Sequence, residues 1–234
     1  MRFARSRRGP AGFSLTELVI VLGLILLLAG LALSVSVAVI EQSERRQTQT
    51  VLALLDTAVK EWELTAQRKL SWGDGDDDVD VDTPEVLIIT EILDVISRSE
   101  QVKRIIAGID PDLVHTYTAG TLPSWIDASL QYEIHKFNGS LTVLDPWGTP
   151  IYATHPGRIW TSSDLGSPDP DGTILTENEK IYGVAPNRRV VFVSAGPDQR
   201  FGLPEEFNLL DADDAIAKAR VDNIYTVDVS FPDY

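Results

Sequence analysis

Gly12-Phe13-Ser14-Leu15-Thr16-Glu17-Leu18 decides how the rest of the chain is read. Behind it, no residue from Leu18 to Ile40 is charged. As a helix that run would extend roughly 35 Å, enough to cross a hydrocarbon core of about 30 Å with some tilt. In front of it lies a short basic leader, residues 1–12, carrying Arg2, Arg5, Arg7 and Arg8. Between the two stands a single acid, Glu17. A carboxylate at the margin of an apolar span is costly unless it is paired, which marks it as a functional group.

Two simpler arrangements share parts of this pattern. A secretory signal peptide also starts basic and continues apolar, but it is cut behind its apolar core at a small-residue site, for which Ala29, Ala32 and Ala38 are weak candidates. A plain single-pass anchor has no use for Glu17. The order of basic leader, Gly12, aromatic Phe13, Glu17 and apolar run resembles the N-terminus of type IV pilin-like proteins, a class that includes the pseudopilins of type II secretion. The resemblance implies cleavage between Gly12 and Phe13 by a prepilin peptidase and N-methylation of the new Phe13 amine. It also implies that Glu17 pairs with the Phe13 ammonium of a neighbouring copy in a filament. One departure is the absence of proline inside the apolar run, where only Gly23 and Gly30 loosen the helix.

The chain has 234 residues, a net charge of −15 and no cysteine. Removal of the leader takes away four arginines and deepens the acidity. Such a chain is a poor partner for nucleic acid, whose phosphates demand a basic face. Acidity makes calcium a natural counterion. The arginine-rich leader, set against Glu41, Glu44, Arg45 and Arg46 beyond the span, places the N-terminus in the cytoplasm and the head in the periplasm of a single-pass inner-membrane protein. That compartment permits disulfides, and without cysteine another staple such as a metal gains weight.

Helix is expected to continue past Ile40. Val51, Leu55, Ala58, Val59, Trp62, Ala66 and Leu70 recur at three- and four-residue spacing, one apolar stripe between charges. The spacing predicts one helix from about Ser14 to Leu70: residues 13–40 form a membrane or filament-core half and 41–70 an amphipathic half. Residues 71–130 read as an acidic loop followed by a helical insertion. Asp74 to Asp82, with Glu85, has the acid spacing of a calcium loop, but Val79 stands where glycine is wanted. Thr83-Pro84-Glu85 is a helix start, and Ile88, Ile89, Ile92, Leu93 and Ile96 follow with helical period.

Residues 131–234 read as an antiparallel-sheet head with a C-terminal loop. Asn138-Gly139, between residues 131–137 and 140–144, is a hairpin signal. Asp145-Pro146-Trp147-Gly148-Thr149-Pro150 is a rigid turn in which Pro146 fixes a dihedral, Gly148 admits positive φ and Trp147 buries a large face. It resembles the corresponding turn of major pseudopilins. Arg158 to Thr161 is a further strand candidate, residues 163–178 read as a loop with a partial calcium pattern closed by Asn178, and Val190 to Val193 is a compact strand.

Ala195-Gly196-Pro197-Asp198, together with Asp222-Asn223, resembles the C-terminal calcium loop of major pseudopilins. The resemblance implies calcium held by the Ala195 carbonyl, Asp198, Asp222 and Asn223; the stretch between the two halves, which the family pattern lacks, offers Asp211, Asp213 or Asp214 as further donors. The alternative is that these acids merely solvate a long loop. In this chain about twenty residues separate the two halves, and Asn223 stands where a second aspartate is usual.

No nucleophile elbow, phosphate loop or zinc-binding histidine pair is present, and His115, His135 and His155 are scattered. No enzymatic activity is expected. The expected fold is α+β: a long N-terminal helix packed by its second half on a small antiparallel sheet, with a helical insertion. The expected function is that of a pseudopilus subunit driving type II secretion. Its partners would be the prepilin peptidase, copies of itself, other pseudopilins, the inner-membrane secretion platform and the membrane, with no nucleic acid. A type IV pilus subunit, and a membrane-tethered ligand-binding head with no filament role, are the alternatives.

Overall fold

The computed structural model describes residues 14–70, 72, 85–116, 139–159, 173–186, 188–202 and 220–230, with the side chains of 31–38, 85–87, 158, 159, 173, 177 and 178 left aside. The fold is α+β. Its helices are α1 (Leu15–Ala66), α2 (Glu85–Ile96), α3 (Glu100–Ile106) and α4 (Glu177–Tyr182), with a 3-10 turn at Pro111–Leu113. Its strands are β1 (Val114–Thr116), β2 (Leu141–Val143), β3 (Tyr152–Thr154), β4 (Arg158–Ile159), β5 (Thr173–Ile174), β6 (Val191–Ser194) and β7 (Ile224–Tyr225).

Two compact units divide the chain, Met1–Ser43 and Glu44–Tyr234. In the first, every large apolar side chain from Leu15 to Leu28 is exposed, Leu15 by 81%. Among the described residues no helix is long and apolar enough to cross a membrane, and the side chains of 31–38 lie outside that description.

In the second unit the stripe expected on α1 is present: Val51, Leu55, Ala58, Val59 and Trp62 are buried, joined by Leu52. The helix ends at Ala66, before the expected Leu70, because Gln67 turns into the left-handed region at φ 56°. Ala66 is therefore exposed, whereas Leu70 reaches the core from a non-helical segment whose amide donates to Glu63 Oε1.

The region expected as a helical insertion contains α2 and α3. Ile88, Ile89, Ile92, Leu93, Val95 and Ile96 are all buried, and α2 packs against β2 and β3. α2 keeps Asp94 exposed and buries its apolar side, so it is part of the central core, shared with α1, Val143, Ile151 and Phe192.

Among the described residues there are three antiparallel sheets in place of the single one expected: β1–β2, β4–β5, and the three-stranded β3–β6–β7. Strand alternation gives the last of these two buried faces. Ile151, Ala153, Phe192 and Ile224 join the helices' core. Tyr152, Val191, Val193 and Tyr225 face a second cluster containing Tyr182 and Phe201. Central β6 is consequently buried along its whole length.

Gly139, at φ 87°, fits the expected turn; residues 131–138 lie outside the described residues, and the partner seen for β2 is β1, in register Val114 with Val143. The supposed loop 163–178 is partly ordered structure: β5 pairs with β4, and α4 starts at Thr176 through a capping box with Glu179. Asn178 therefore lies on a helix rather than in a loop.

Candidate functional site

Strand pairing brings the two halves of the C-terminal motif together. β6 and β7 pair with Ser194 opposite Ile224, so the turn leaving β6 meets the residues entering β7. Gly196, at φ 73°, sits so close to Asp222 that a Cβ there would lie 2.5 Å from the Asp222 carbonyl oxygen and 3.3 Å from its Oδ2. The Gln199 amide donates to the Gly196 carbonyl at 3.2 Å, closing a turn over Pro197 and Asp198, and Asp198 Oδ1 accepts from the Arg200 amide at 2.9 Å. Proline presets the φ of the second turn position, and an aspartate readily bonds its own backbone two residues on.

The local electrostatics favour a cation. Burial, and then the charge of Asp198 beside it, push the Asp222 carboxyl up from its ordinary value, against the opposing pull of the Asp198 amide and Arg45. Asp222 Oδ1 and Asn223 Oδ1 are buried without hydrogen-bond partners. The Asn223 amide nitrogen donates to the Phe201 carbonyl at 3.1 Å, which fixes the side chain's orientation. A buried oxygen with no donor costs about 1–3 kcal/mol, and a hard cation satisfies such oxygens. Two adjacent carboxylates, an amide oxygen and turn carbonyls thus fit calcium in donor type. No group of three or more His, Cys, Asp or Glu suited to a metal occurs among the described residues. Asp211, Asp213 and Asp214, the acids of 74–82, and the remainder of the loop at 160–172 lie outside the described residues, and Glu85 is described in backbone only.

The Asp145 turn abuts this site. Asp145 is 1% exposed. Its Oδ1 accepts from the amides of Trp147 at 3.1 Å and Thr149 at 2.9 Å, and its Oδ2 from Ser194 Oγ at 2.8 Å. Burial outweighs these bonds and pushes its pKa up to about 6. Ser194 Oγ in turn accepts from the Gly196 amide at 3.2 Å, and Gln199 Nε2 donates to the Trp147 carbonyl at 2.7 Å. The two turns, read separately in the sequence, are therefore one hydrogen-bonded assembly.

At the N-terminus, Gly12 and Phe13 lie outside the described residues. Ser14 and Glu17 form a reciprocal cap on α1: Ser14 N donates to Glu17 Oε2 at 2.9 Å, and Glu17 N to Ser14 Oγ at 3.2 Å. Ser14-x-x-Glu17 is a capping-box pattern, and that pattern is the signal through which this contact of Glu17 was legible. Of the histidines, His115 is exposed on β1, and the His155 ring packs 4.9 Å from that of Trp72.

No family model, curated protein or solved structure matches the chain.

Proposed function

We propose that this chain is a structural subunit of a periplasmic pseudopilus of the type II secretion kind. It is processed by a prepilin peptidase between Gly12 and Phe13, held in the inner membrane by its N-terminal helix and polymerised through that helix. The observation that carries the reading is the helix start. A capped first turn bearing Glu17 opens directly onto the exposed apolar surface from Leu15 to Leu28. A surface of that kind needs lipid or other copies to cover it. In this reading Glu17 pairs with the Phe13 ammonium of the next subunit, and the α+β head is displayed outside the membrane.

Calcium belongs to the same reading. The Ala195 carbonyl, Asp198, Asp222 and Asn223 would hold it, and bound there it would neutralise two crowded carboxylates and tie β7 to the turn after β6. At a hundredfold excess over its dissociation constant, such an ion stabilises the folded head by about 2.7 kcal/mol.

The test is assembly. Cells making the wild-type chain with its secretion machinery should yield ladders of crosslinked heads from membranes. Glu17→Leu should abolish the ladder while membrane levels hold, since the substitution favours insertion. An unchanged ladder would rule out pairing through Glu17.

A further inference from the structure

Resting on the cation-site reading above, we propose that Asp145 and Ser194 are positioning residues for that site, acting on the Ala195 carbonyl through the peptide that joins Ala195 to Gly196. The argument is geometric. The Ser194 hydroxyl donates to Asp145 Oδ2 at 2.8 Å, so its proton is committed. A lone pair of the same oxygen then accepts the Gly196 amide proton at 3.2 Å. That amide and the Ala195 carbonyl belong to one planar trans peptide unit, in which N–H and C=O point in opposite directions. Fixing the N–H on Ser194 therefore fixes the direction of the Ala195 carbonyl.

The anchor behind this relay is rigid. Asp145, Ser194 and Ala195 are each exposed by 1% or less. The other Asp145 oxygen holds the amides of Trp147 and Thr149, which closes its own turn. Gly196 is at φ 73° with its backbone against Asp222, so a rotation of this peptide would disturb both halves of the site together. A ligand carbonyl must be held in place before the ion arrives if affinity is not to be spent on ordering it. The Asp145 turn, 49 residues away in sequence, supplies that hold.

The experiment uses the full-length chain in detergent micelles with calcium chloride as the probe, followed by titration calorimetry and by melting in calcium and in chelator. Wild type should bind calcium. Ser194→Ala should weaken binding tenfold or more. Asp145→Asn should weaken it by less, because the asparagine amide still bonds Ser194 Oγ. The double variant should bind no more weakly than Ser194→Ala, since Asp145 acts through Ser194. A purely structural role would lower the melting point equally with and without calcium and leave affinity unaltered, and that result overturns the proposal while the cation site stands. Additive losses in the double variant overturn the relay. If Ser194→Ala does not fold, Asp145→Asn decides alone, and unaltered affinity overturns the proposal. A wild-type chain that binds no calcium overturns the site itself and the relay with it.

Discussion

The indole N–H of Trp147 donates to the carboxylate of Glu44 at 2.9 Å, joining the turn after β2 to α1 across 103 residues of sequence. The same tryptophan's carbonyl accepts from Gln199, so a single residue links the helix to the turn that carries Asp198. Hydrogen bonds to a charged group contribute about 1.5–3 kcal/mol, more than neutral ones. Trp147→Phe keeps most of the ring's packing and loses this bond. It should destabilise the head by about 2 kcal/mol in urea unfolding, and Glu44→Gln should cost less than Trp147→Phe because the amide oxygen still accepts.

Asp145 should give the head a distinctive pH dependence. Burial raises its pKa from 3.8 to about 6 in the folded chain. Between those values the folded state holds a proton that the unfolded state has released. Its contribution is therefore fully present below about pH 4 and is lost as pH rises through about 6. The shift corresponds to something on the order of 3 kcal/mol. Asp145→Asn removes this titration. Measured in chelator from pH 4 to 7, the stability difference between variant and wild type should move in the variant's favour; a pH-independent difference would contradict the assignment.

Gly196 should be intolerant of any side chain. Its φ of 73° is left-handed, and a Cβ would lie 2.5 Å from the Asp222 carbonyl oxygen. The left-handed conformation alone costs an alanine about 1–2 kcal/mol, and the close approach adds to that by forcing β7 away from β6. Gly196→Ala should lower the melting point, read by calorimetry of wild type and variant side by side.

The cap at Ser14 separates two roles for Glu17. Glutamine serves as well as glutamate in a capping box, but it cannot pair with an ammonium. Glu17→Gln should therefore keep the helix start, read by hydrogen exchange of the first-turn amides in micelles, and lose filament assembly. Ser14→Ala should do the reverse, loosening the first turn at a cost of about 1 kcal/mol while subunits still crosslink. Assembly by Glu17→Gln at the wild-type level would reduce Glu17 to a cap.

Local pattern carried much of this fold. The three- and four-residue spacing of Val51, Leu55, Ala58, Val59 and Trp62, and the turn chemistry of Asp145 to Pro150, depend only on near neighbours, and both are present. The central place of α2 was not legible, since its apolar period says that Ile89 and Ile92 are buried without saying against what. Thr176-x-x-Glu179 was a readable helix start inside a stretch taken for loop. Glu179 is buried there, its Oε2 also accepting from the Gly157 amide at 2.7 Å. The bond between Ser194 and Asp145 has no local signature, because it depends on how β6 lies beside the Asp145 turn. At the candidate site, the pairing of β6 and β7 brings the turn at Gly196 against Asp222, whose carboxyl feels the charge of Asp198. The groups that hold them in place emerge only in three dimensions.

The most direct test of the filament-subunit account is the mass of the mature chain. The full-length precursor, made alongside a prepilin peptidase and extracted from membranes, should have lost residues 1–12 and begin with N-methylated Phe13 in intact and peptide mass spectra; Gly12→Val should remain uncut. A mature terminus beyond Ala29, or an unprocessed chain in the presence of active peptidase, would contradict it.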